Sequence, residues 1–185
     1  MKQKIFFIIY LILIIVNNSQ AKGELLDASC LDAPKDGKYI RNYENGSIHS
    51  EAQCIDKRVE GLLKIYHKNG NLELELFVKD GKKDGISKEY YESGKLKSWV
   101  KFTKGMMNVW KQYYETGESK SDQYFLNEDN VWVMISYFQD GKVHSVIFFN
   151  QGEIDEERVY NETDGKLQYL KKRNEEGRSV TIGNE

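Results

Sequence analysis

Apolar and polar side chains alternate through most of the chain. After Gly70 every second residue from Leu72 to Val78 is apolar, and the residues between them are mostly polar. The same alternation follows Gly94 and Gly141. A period of two with one apolar face is typical of a half-buried β-strand. Because a slip of one residue would turn every apolar side chain to the opposite face, the pattern also predicts a firmly set register.

Glycine recurs at intervals of 23 or 24 residues, which indicates an internal repeat. The six glycines of this series are Gly46, Gly70, Gly94, Gly117, Gly141 and Gly165. Asn-Gly and Asp-Gly pairs are strong hairpin signals, because type I′ turns need positive φ at both central residues. We therefore predict type I′ turns at Asn45-Gly46 and at the corresponding Asn-Gly and Asp-Gly pairs. Return turns between hairpins are expected at Gly81 and Gly105.

Two strands of about six to eight residues and two turns fill each repeat, which leaves no room for a helix. We predict an all-β fold, an elongated antiparallel β-meander or solenoid of about six β-hairpins, preceded by a signal-peptide helix. The predicted divisions are a signal peptide at 1–21, a leader or N-terminal cap at 22–36, a repeat domain at 37–173 and a C-terminal cap or tail at 174–185.

The first residues have the three parts of a secretory signal peptide in order. Two lysines precede an apolar run of twelve residues from Ile5 to Val16, and Ser-Gln-Ala at 19–21 has the small-x-small form of a cleavage site. As a helix, this run is too short to cross a hydrocarbon core about 30 Å thick. We expect cleavage after Ala21 and export to the periplasm or the cell exterior. The alternative is an uncleaved N-terminal membrane anchor.

Cys30 and Cys54 are the two cysteines of the chain. An even number of cysteines in an exported protein permits a disulfide. On equivalent strands of neighbouring repeats their Cα atoms would lie about 9.6 Å apart, beyond the reach of a disulfide. Because Cys30 precedes Pro34 in the irregular leader, we expect that it folds back onto the first hairpin and forms a bridge that pins the N-terminal edge.

Charge and composition exclude several classes of function. The 27 basic and 29 acidic residues give a net charge of −2, without the excess of lysine and arginine that a simple electrostatic nucleic-acid binder needs. His49 and His144 occupy the same repeat position about 38 Å apart and cannot share a metal. Neither a nucleophile elbow nor a Cys-His spacing is present. We expect no catalytic residues, no metal and no cofactor.

The segments Gly61–Gly70 and Gly85–Ser98 resemble the bacterial variant of the MORN repeat. The second contains the Tyr-Tyr-x-x-Gly-x-Leu core, which begins at Tyr90, and the similarity extends from Gly37 to Arg173. The resemblance implies stacked β-hairpins that contact proteins or membrane surfaces, and it implies no active-site residues. Many bacterial proteins with this variant are described as antitoxins of toxin–antitoxin systems.

The aromatic residues that precede the repeat glycines form the candidate binding surface. We expect them to stack in two ladders on opposite faces of the sheet. A single-layer sheet cannot cover both of its faces, so it must curl, self-associate or present a face to a partner. The alternative is that the ladders only pack one repeat on the next. The candidate partner-binding residues are Tyr66, Tyr90, Tyr91, Tyr113, Tyr114, Tyr137 and Phe138.

These observations lead to an exported, non-enzymatic repeat protein that binds a protein partner or acts as a scaffold through its aromatic-rich sheet surface. One alternative is an antitoxin or immunity-type protein that neutralises a toxin by direct binding. Another is a MORN-type module that associates with a membrane surface. An enzyme with carboxylates recruited from scattered strands is a third class. No nucleic-acid partner is expected, and self-association is left open.

Overall fold

The computed structural model describes residues 30, 33, 35–126, 130–174 and 177–183. The predicted signal peptide at 1–21 and most of the predicted leader at 22–36 lie outside the described residues. The strands are β1 (Gly37–Asn42), β2 (Ile48–Ile55), β3 (Arg58–Tyr66), β4 (Leu72–Lys79), β5 (Lys82–Lys83), β6 (Gly85–Tyr90), β7 (Leu96–Thr103), β8 (Met106–Tyr113), β9 (Ser119–Phe125), β10 (Trp132–Tyr137), β11 (Val143–Asn150), β12 (Glu153–Tyr160), β13 (Leu167–Arg173) and β14 (Ser179–Gly183). Across these ranges no helix has the length and apolar character needed to span a membrane.

All fourteen strands belong to one antiparallel sheet through which the chain runs as a meander. Each strand pairs with its neighbours in the chain, except that β4 pairs with β6 and the two-residue β5 pairs only with β4. Six hairpins follow one another from β1–β2 to β12–β13, and β14 adds a strand within the segment predicted to be a C-terminal cap. The predicted all-β meander of hairpins is confirmed.

The turns at the repeat glycines differ from the predicted type I′ geometry. Gly46 has a φ of 85°, whereas Asn45 is not among the residues with positive φ. The Gly46 N–H donates to the Tyr43 carbonyl at 2.9 Å, and the Tyr43 N–H donates to the Ser47 carbonyl at 2.8 Å. These bonds close a three-residue loop with glycine in the left-handed position. Asn45 fits without positive φ because its Oδ1 accepts the Ser47 N–H at 3.0 Å.

The type I′ signature lies instead in the return turns between hairpins. Asp80 and Gly81 have φ values of 51° and 69°, and the turns at Gly105 and Gly152 follow the same pattern. The turn between β2 and β3 has no glycine, yet Asp56 and Lys57 have φ values of 48° and 61°. Two central residues with positive φ match the right-handed twist of the strands they join. The glycine spacing therefore located the turns correctly, but the type I′ geometry predicted for the repeat glycines was wrong.

A carboxylate at the start of each early hairpin caps the return turn that follows the same hairpin. The acceptor residues and the donor N–H groups both recur at 24-residue steps. The three hydrogen bonds run from the Asp56 N–H to Asp36 at 2.9 Å, from the Asp80 N–H to Glu60 at 3.1 Å and from the Lys104 N–H to Asp84 at 3.3 Å. These bonds therefore close the open end of each early hairpin, where the chain turns toward the next one.

The apolar core lies on one face of the first two hairpins. We call the face that carries Leu63 and Leu76 the inner face, and the opposite one the outer face. A disulfide joins Cys30 to Cys54 with their Cα atoms 5.7 Å apart, and this places Cys30 and Ala33 of the leader over the inner face. The buried members of this cluster are Cys30, Ala33, Ala52, Cys54, Val59, Leu63, Ile65, Leu74, Leu76 and Val78.

From β6 onward the inner face carries a row of polar side chains beside apolar ones such as Ile147 and Phe149, which are 3 % and 5 % exposed. The strand register aligns one row of side chains across six strands, and its members are Glu89, Ser98, Gln112, Ser121, Ser136 and Ser145. Within each hairpin the facing pair is hydrogen-bonded, at 3.2 Å for Glu89–Ser98, 2.9 Å for Gln112–Ser121 and 2.7 Å for Ser136–Ser145. Because buried polar groups are costly unless they are paired, these bonds make the polar row compatible with its burial.

Two adjacent leucines test the assignment of the faces. Leu63 is fully buried on the inner face, whereas Leu62 is 44 % exposed on the outer face. We expect Leu63→Ala to lower the free energy of unfolding by about 2–5 kcal/mol, because it leaves a cavity in the core. Leu62→Ala is the matched control and should change this free energy by less than about 1 kcal/mol. Urea titrations of both variants measure the difference, and equal losses would contradict the assignment.

Candidate functional site

A side chain at the end of each early hairpin's first strand bonds to the backbone of the next hairpin. In each case a hydroxyl or ring nitrogen lies within hydrogen-bonding distance of a carbonyl oxygen 22 or 23 residues further on. The four contacts are Tyr43 to Tyr66 at 2.6 Å, His67 Nε2 to Tyr90 at 3.1 Å, Tyr91 to Tyr113 at 2.8 Å and Tyr114 to Tyr137 at 3.1 Å. We call these contacts the carbonyl latches.

The rings of the latch residues also contact the side chain six positions later. Lys97 Nζ lies 5.9 Å from the centroid of the Tyr91 ring, which is within the range of a cation–π contact. Phe138 has no hydroxyl, but its ring centroid lies 4.6 Å from that of His144. The corresponding pairs in other repeats are Tyr43 with His49, His67 with Glu73 and Tyr114 with Lys120. The latch side chains therefore contact the side chain across the turn of their own hairpin as well as the backbone of the next hairpin.

The predicted ladders differ from the contacts that the structure shows. Tyr113 lies on the outer face with Trp99, and Tyr91 lies on the inner face with Lys97, so the two series occupy opposite faces as predicted. Within the described ranges, however, no ring-to-ring contact joins tyrosines of successive repeats. The latches take the place of stacking, because a hydroxyl that reaches the next carbonyl already links the hairpins.

All seven residues predicted to bind a partner are half-buried. Tyr66 and Tyr90 provide latch carbonyls, and Tyr91 and Tyr114 provide latch hydroxyls. Tyr113 and Tyr137 also provide latch carbonyls, and their hydroxyls meet polar side chains on the outer face. The ring of Phe138 contacts His144 of its own hairpin. The structure therefore brings Tyr113 and Tyr137 to a surface with further functional groups, whereas Tyr66, Tyr90, Tyr91 and Tyr114 serve as links between hairpins.

That surface surrounds a buried carboxylate on β9. Asp122 is 6 % exposed, and Lys111 Nζ lies 2.8 Å from its Oδ2. The hydroxyls of Tyr124 and Tyr137 donate to the same oxygen at 3.2 and 3.3 Å. The strand register explains this convergence, because Lys111 of β8 stands directly opposite Asp122. Side chains from β8, β9 and β10 therefore share one carboxylate oxygen.

An indole extends the cluster to the neighbouring hairpin. Trp99 of β7 pairs with Lys111, and its Nε1 donates to the Tyr113 hydroxyl at 3.1 Å. The central patch, as we call it, consists of Trp99, Lys111, Tyr113, Asp122, Tyr124 and Tyr137. Sequence reasoning identified Tyr113 and Tyr137 but missed Lys111 and Asp122. The available signal was their opposite charge at positions that face each other across the hairpin turn.

Two groups of the central patch have pKa values shifted away from neutrality. The hydrogen bond to Asp122 raises the pKa of Lys111 above its usual range. Burial raises the pKa of Tyr137, and the nearby charge of Asp122 acts in the same direction. Lys111 is therefore cationic and Tyr137 neutral near neutral pH. Among the described residues, no group of three or more histidine, cysteine or acidic side chains is arranged to hold a metal ion.

Removing a single latch hydroxyl tests whether the tyrosines stabilise the fold by linking neighbouring hairpins. We expect Tyr91→Phe to lower the free energy of unfolding by about 0.5–1.5 kcal/mol, because the Tyr113 carbonyl loses its donor and the ring stays in place. Tyr66→Phe is the matched control, since no hydrogen bond joins the Tyr66 hydroxyl to a described residue. Denaturant titrations compare the two variants, and equal stability of Tyr91→Phe and the wild type would refute the latch.

The raised pKa values of Lys111 and Tyr137 predict a loss of stability at high pH. Each group stabilises the fold fully below its unfolded pKa, about 10.4 for lysine and about 10 for tyrosine, and loses this contribution as pH rises through the folded pKa. The free energy of unfolding should therefore fall above about pH 10. Asp122→Asn should lower it by about 1.5–3 kcal/mol at pH 7 and weaken the alkaline fall.

The exposed pair of Asp140 and Lys142 provides the control for this titration. Asp140→Asn should leave the stability curve close to that of the wild type, because exposed ion pairs contribute little. An alkaline fall that is unchanged in Asp122→Asn would show that the central patch is not its source.

Comparison with protein-family models matches three stretches of the chain to the MORN repeat variant, at residues 35–53, 59–80 and 83–98. The first two correspond to the hairpins β1–β2 and β3–β4, and the third covers β6 and the start of β7. The later hairpins lie outside the matched residues, although they continue the same sheet. No curated protein matches the chain. Within residues 35–98 the chain is therefore similar to three repeats of the MORN repeat variant, the family that the sequence predicts.

Proposed function

We propose that the chain is an exported, non-enzymatic repeat protein that binds a protein partner through the outer face of its sheet. The observation that carries this proposal is the central patch. Trp99, Tyr113, Tyr124 and Tyr137 are half-buried, and hydrogen bonds fix their polar atoms in place. Tryptophan and tyrosine are enriched among residues that dominate binding energies, and a pre-ordered surface loses little entropy on binding.

The chemistry of the patch favours binding over catalysis. General acids and bases work best with pKa values near the operating pH. The pKa values of Lys111 and Tyr137 are moved further from neutrality by Asp122 and by burial. The MORN repeat variant is a non-catalytic repeat module, and repeat arrays offer extended surfaces for partners. A protein-binding role agrees with both features.

Two observations support export. The first residues have the pattern of a cleavable signal peptide, with cleavage after Ala21. The bridge between Cys30 and Cys54 is of the kind that persists in oxidising compartments and is rare in the cytosol. A toxin as the partner and contact with a membrane surface stay predictions from the sequence.

Site-specific photo-cross-linking in the cells that produce the protein tests the proposal. Val133 stands opposite Tyr124 on the outer face, and a benzophenone side chain there should form one discrete protein adduct. The same probe at Glu115, in an exposed turn, is the control and should form none. Tyr124→Ser should reduce the Val133 adduct at least tenfold while circular dichroism still shows a folded sheet.

Two outcomes contradict the proposal. One is an adduct of equal yield from Glu115 and Val133, which would indicate random collision. The other is the lack of any adduct from Val133. The purified protein should also begin at Lys22 and show no free thiol before reduction, and an intact N-terminus with two free thiols would contradict export.

A further inference from the structure

Three large apolar side chains lie on the outer face of the neighbouring strands β3, β4 and β6. Leu62 is 44 % exposed, Phe77 44 % and Ile86 53 %. Leu62 stands directly opposite Phe77, and β6, which carries Ile86, pairs with β4 on the other side. Single exposed apolar residues are normal on a protein surface, whereas an adjacent set indicates a site of interaction.

Lysines flank this apolar row on the same face. Lys101 stands directly opposite Ile86, and Lys88 stands opposite Glu75 on one side and Trp99 on the other. Lys79 follows Phe77 by two positions along β4 and therefore faces the same way. In the part of the chain that the structure describes, no carboxylate lies within ion-pairing distance of Lys79, Lys88 or Lys101. We call these six residues, Leu62, Phe77, Ile86, Lys79, Lys88 and Lys101, the docking strip.

The acidic residues beside the strip are already engaged. Glu75 lies 3.9 Å from Lys64 Nζ, and Glu60 accepts the N–H of Asp80 at 3.1 Å. The strip therefore has an excess of positive charge, although the whole chain has a net charge of −2. A ligand that matches it needs negative charges beside apolar groups, because complementary charge steers association and excludes wrong partners.

We propose that the docking strip binds an acidic, amphipathic segment of the protein partner, with apolar side chains against Leu62, Phe77 and Ile86 and carboxylates against the three lysines. The proposal rests on the proposed function and adds the chemistry of the partner. The strip adjoins the central patch, because Lys88 and Trp99 stand opposite each other. One segment of the partner reaches both surfaces along the outer face.

The position of the strip favours a protein segment over a lipid bilayer. The Lys64–Glu75 ion pair lies on the same face, two positions from Leu62 on β3 and two positions from Phe77 on β4. A bilayer that reached the row would have to desolvate this ion pair, which is costly. A peptide places individual carboxylates beside the lysines and leaves the ion pair hydrated.

Fluorescence anisotropy with a labelled peptide tests the proposal. The probe is a peptide of about eight residues with the repeat Leu-Leu-Glu-Glu, so that in extended form each side carries both leucine and glutamate, and it is long enough to cross the four strands concerned. The control peptide has lysine in place of glutamate. The wild-type protein should bind the first peptide and not the second, and its affinity for the first should fall as salt concentration rises.

Two pairs of variants separate the surface from general charge. Lys79→Glu with Lys101→Glu should weaken peptide binding at least tenfold. Lys68→Glu with Lys95→Glu changes the net charge equally at exposed turns and should change binding less than twofold. Phe77→Ser should weaken binding at least fivefold, and Ile55→Ser, at an exposed strand end outside the strip, should not. Thermal unfolding confirms that each variant is folded.

Several results would overturn the proposal. They are equal binding of both peptides, equal losses in the two double variants, and binding to phosphatidylglycerol vesicles without binding to the acidic peptide. The test is also separable from that of the proposed function. If the Val133 adduct forms and the peptide does not bind, the acidic segment is wrong and the protein-binding role stands. If the peptide binds and no adduct forms, the proposed function fails instead.

Discussion

The hydrogen bond from a latch side chain to a carbonyl of the next hairpin is the interaction on which the rest of the structure depends. A meander of hairpins has no second layer to hold its strands, so each hairpin needs contacts with the next beyond the backbone ladder. Tyr43, His67, Tyr91 and Tyr114 provide these contacts. Asp36, Glu60 and Asp84 instead close the open ends of their own hairpins, where the chain turns toward the next one. Because the latches recur with the repeat, the hairpins that they join are placed on one another in nearly the same way.

This regular placement separates the two faces of the sheet. The inner face of the first hairpins is apolar and lies under the disulfide-linked leader, and further along it also carries a row of hydrogen-bonded polar side chains. The outer face has no covering layer in the described residues. It carries the docking strip and the central patch side by side, and the buried Asp122 fixes the aromatic groups of the patch. The outer face is therefore open to a partner, and its own hydrogen bonds keep the aromatic groups of the patch in place.

Much of this arrangement follows from the sequence. The alternation after Gly70 predicts the strands and their faces, and the spacing of the repeat glycines predicts where the chain turns. The type I′ geometry predicted at the repeat glycines was wrong, because an Asn-Gly pair suits either a type I′ turn or a three-residue loop. The hydrogen bond from the Ser47 N–H to the Asn45 side chain favours the three-residue loop. The central patch was only partly predicted. Asp122 and Lys111 are ordinary charges in the sequence, and only the register of β8 and β9 shows that they meet.

Native-state hydrogen exchange, resolved by residue, tests the central claim most directly. If neighbouring hairpins are tied by latches and anchored by the N-terminal core, the amides of β2, β3 and β4 should exchange most slowly. Protection should then fall stepwise from hairpin to hairpin and be lowest in the fully exposed β14. Tyr91→Phe should speed exchange in β8 and β9 more than in β2. Slowest exchange in β12 to β14, or a Tyr91→Phe effect spread evenly over all strands, would contradict the account.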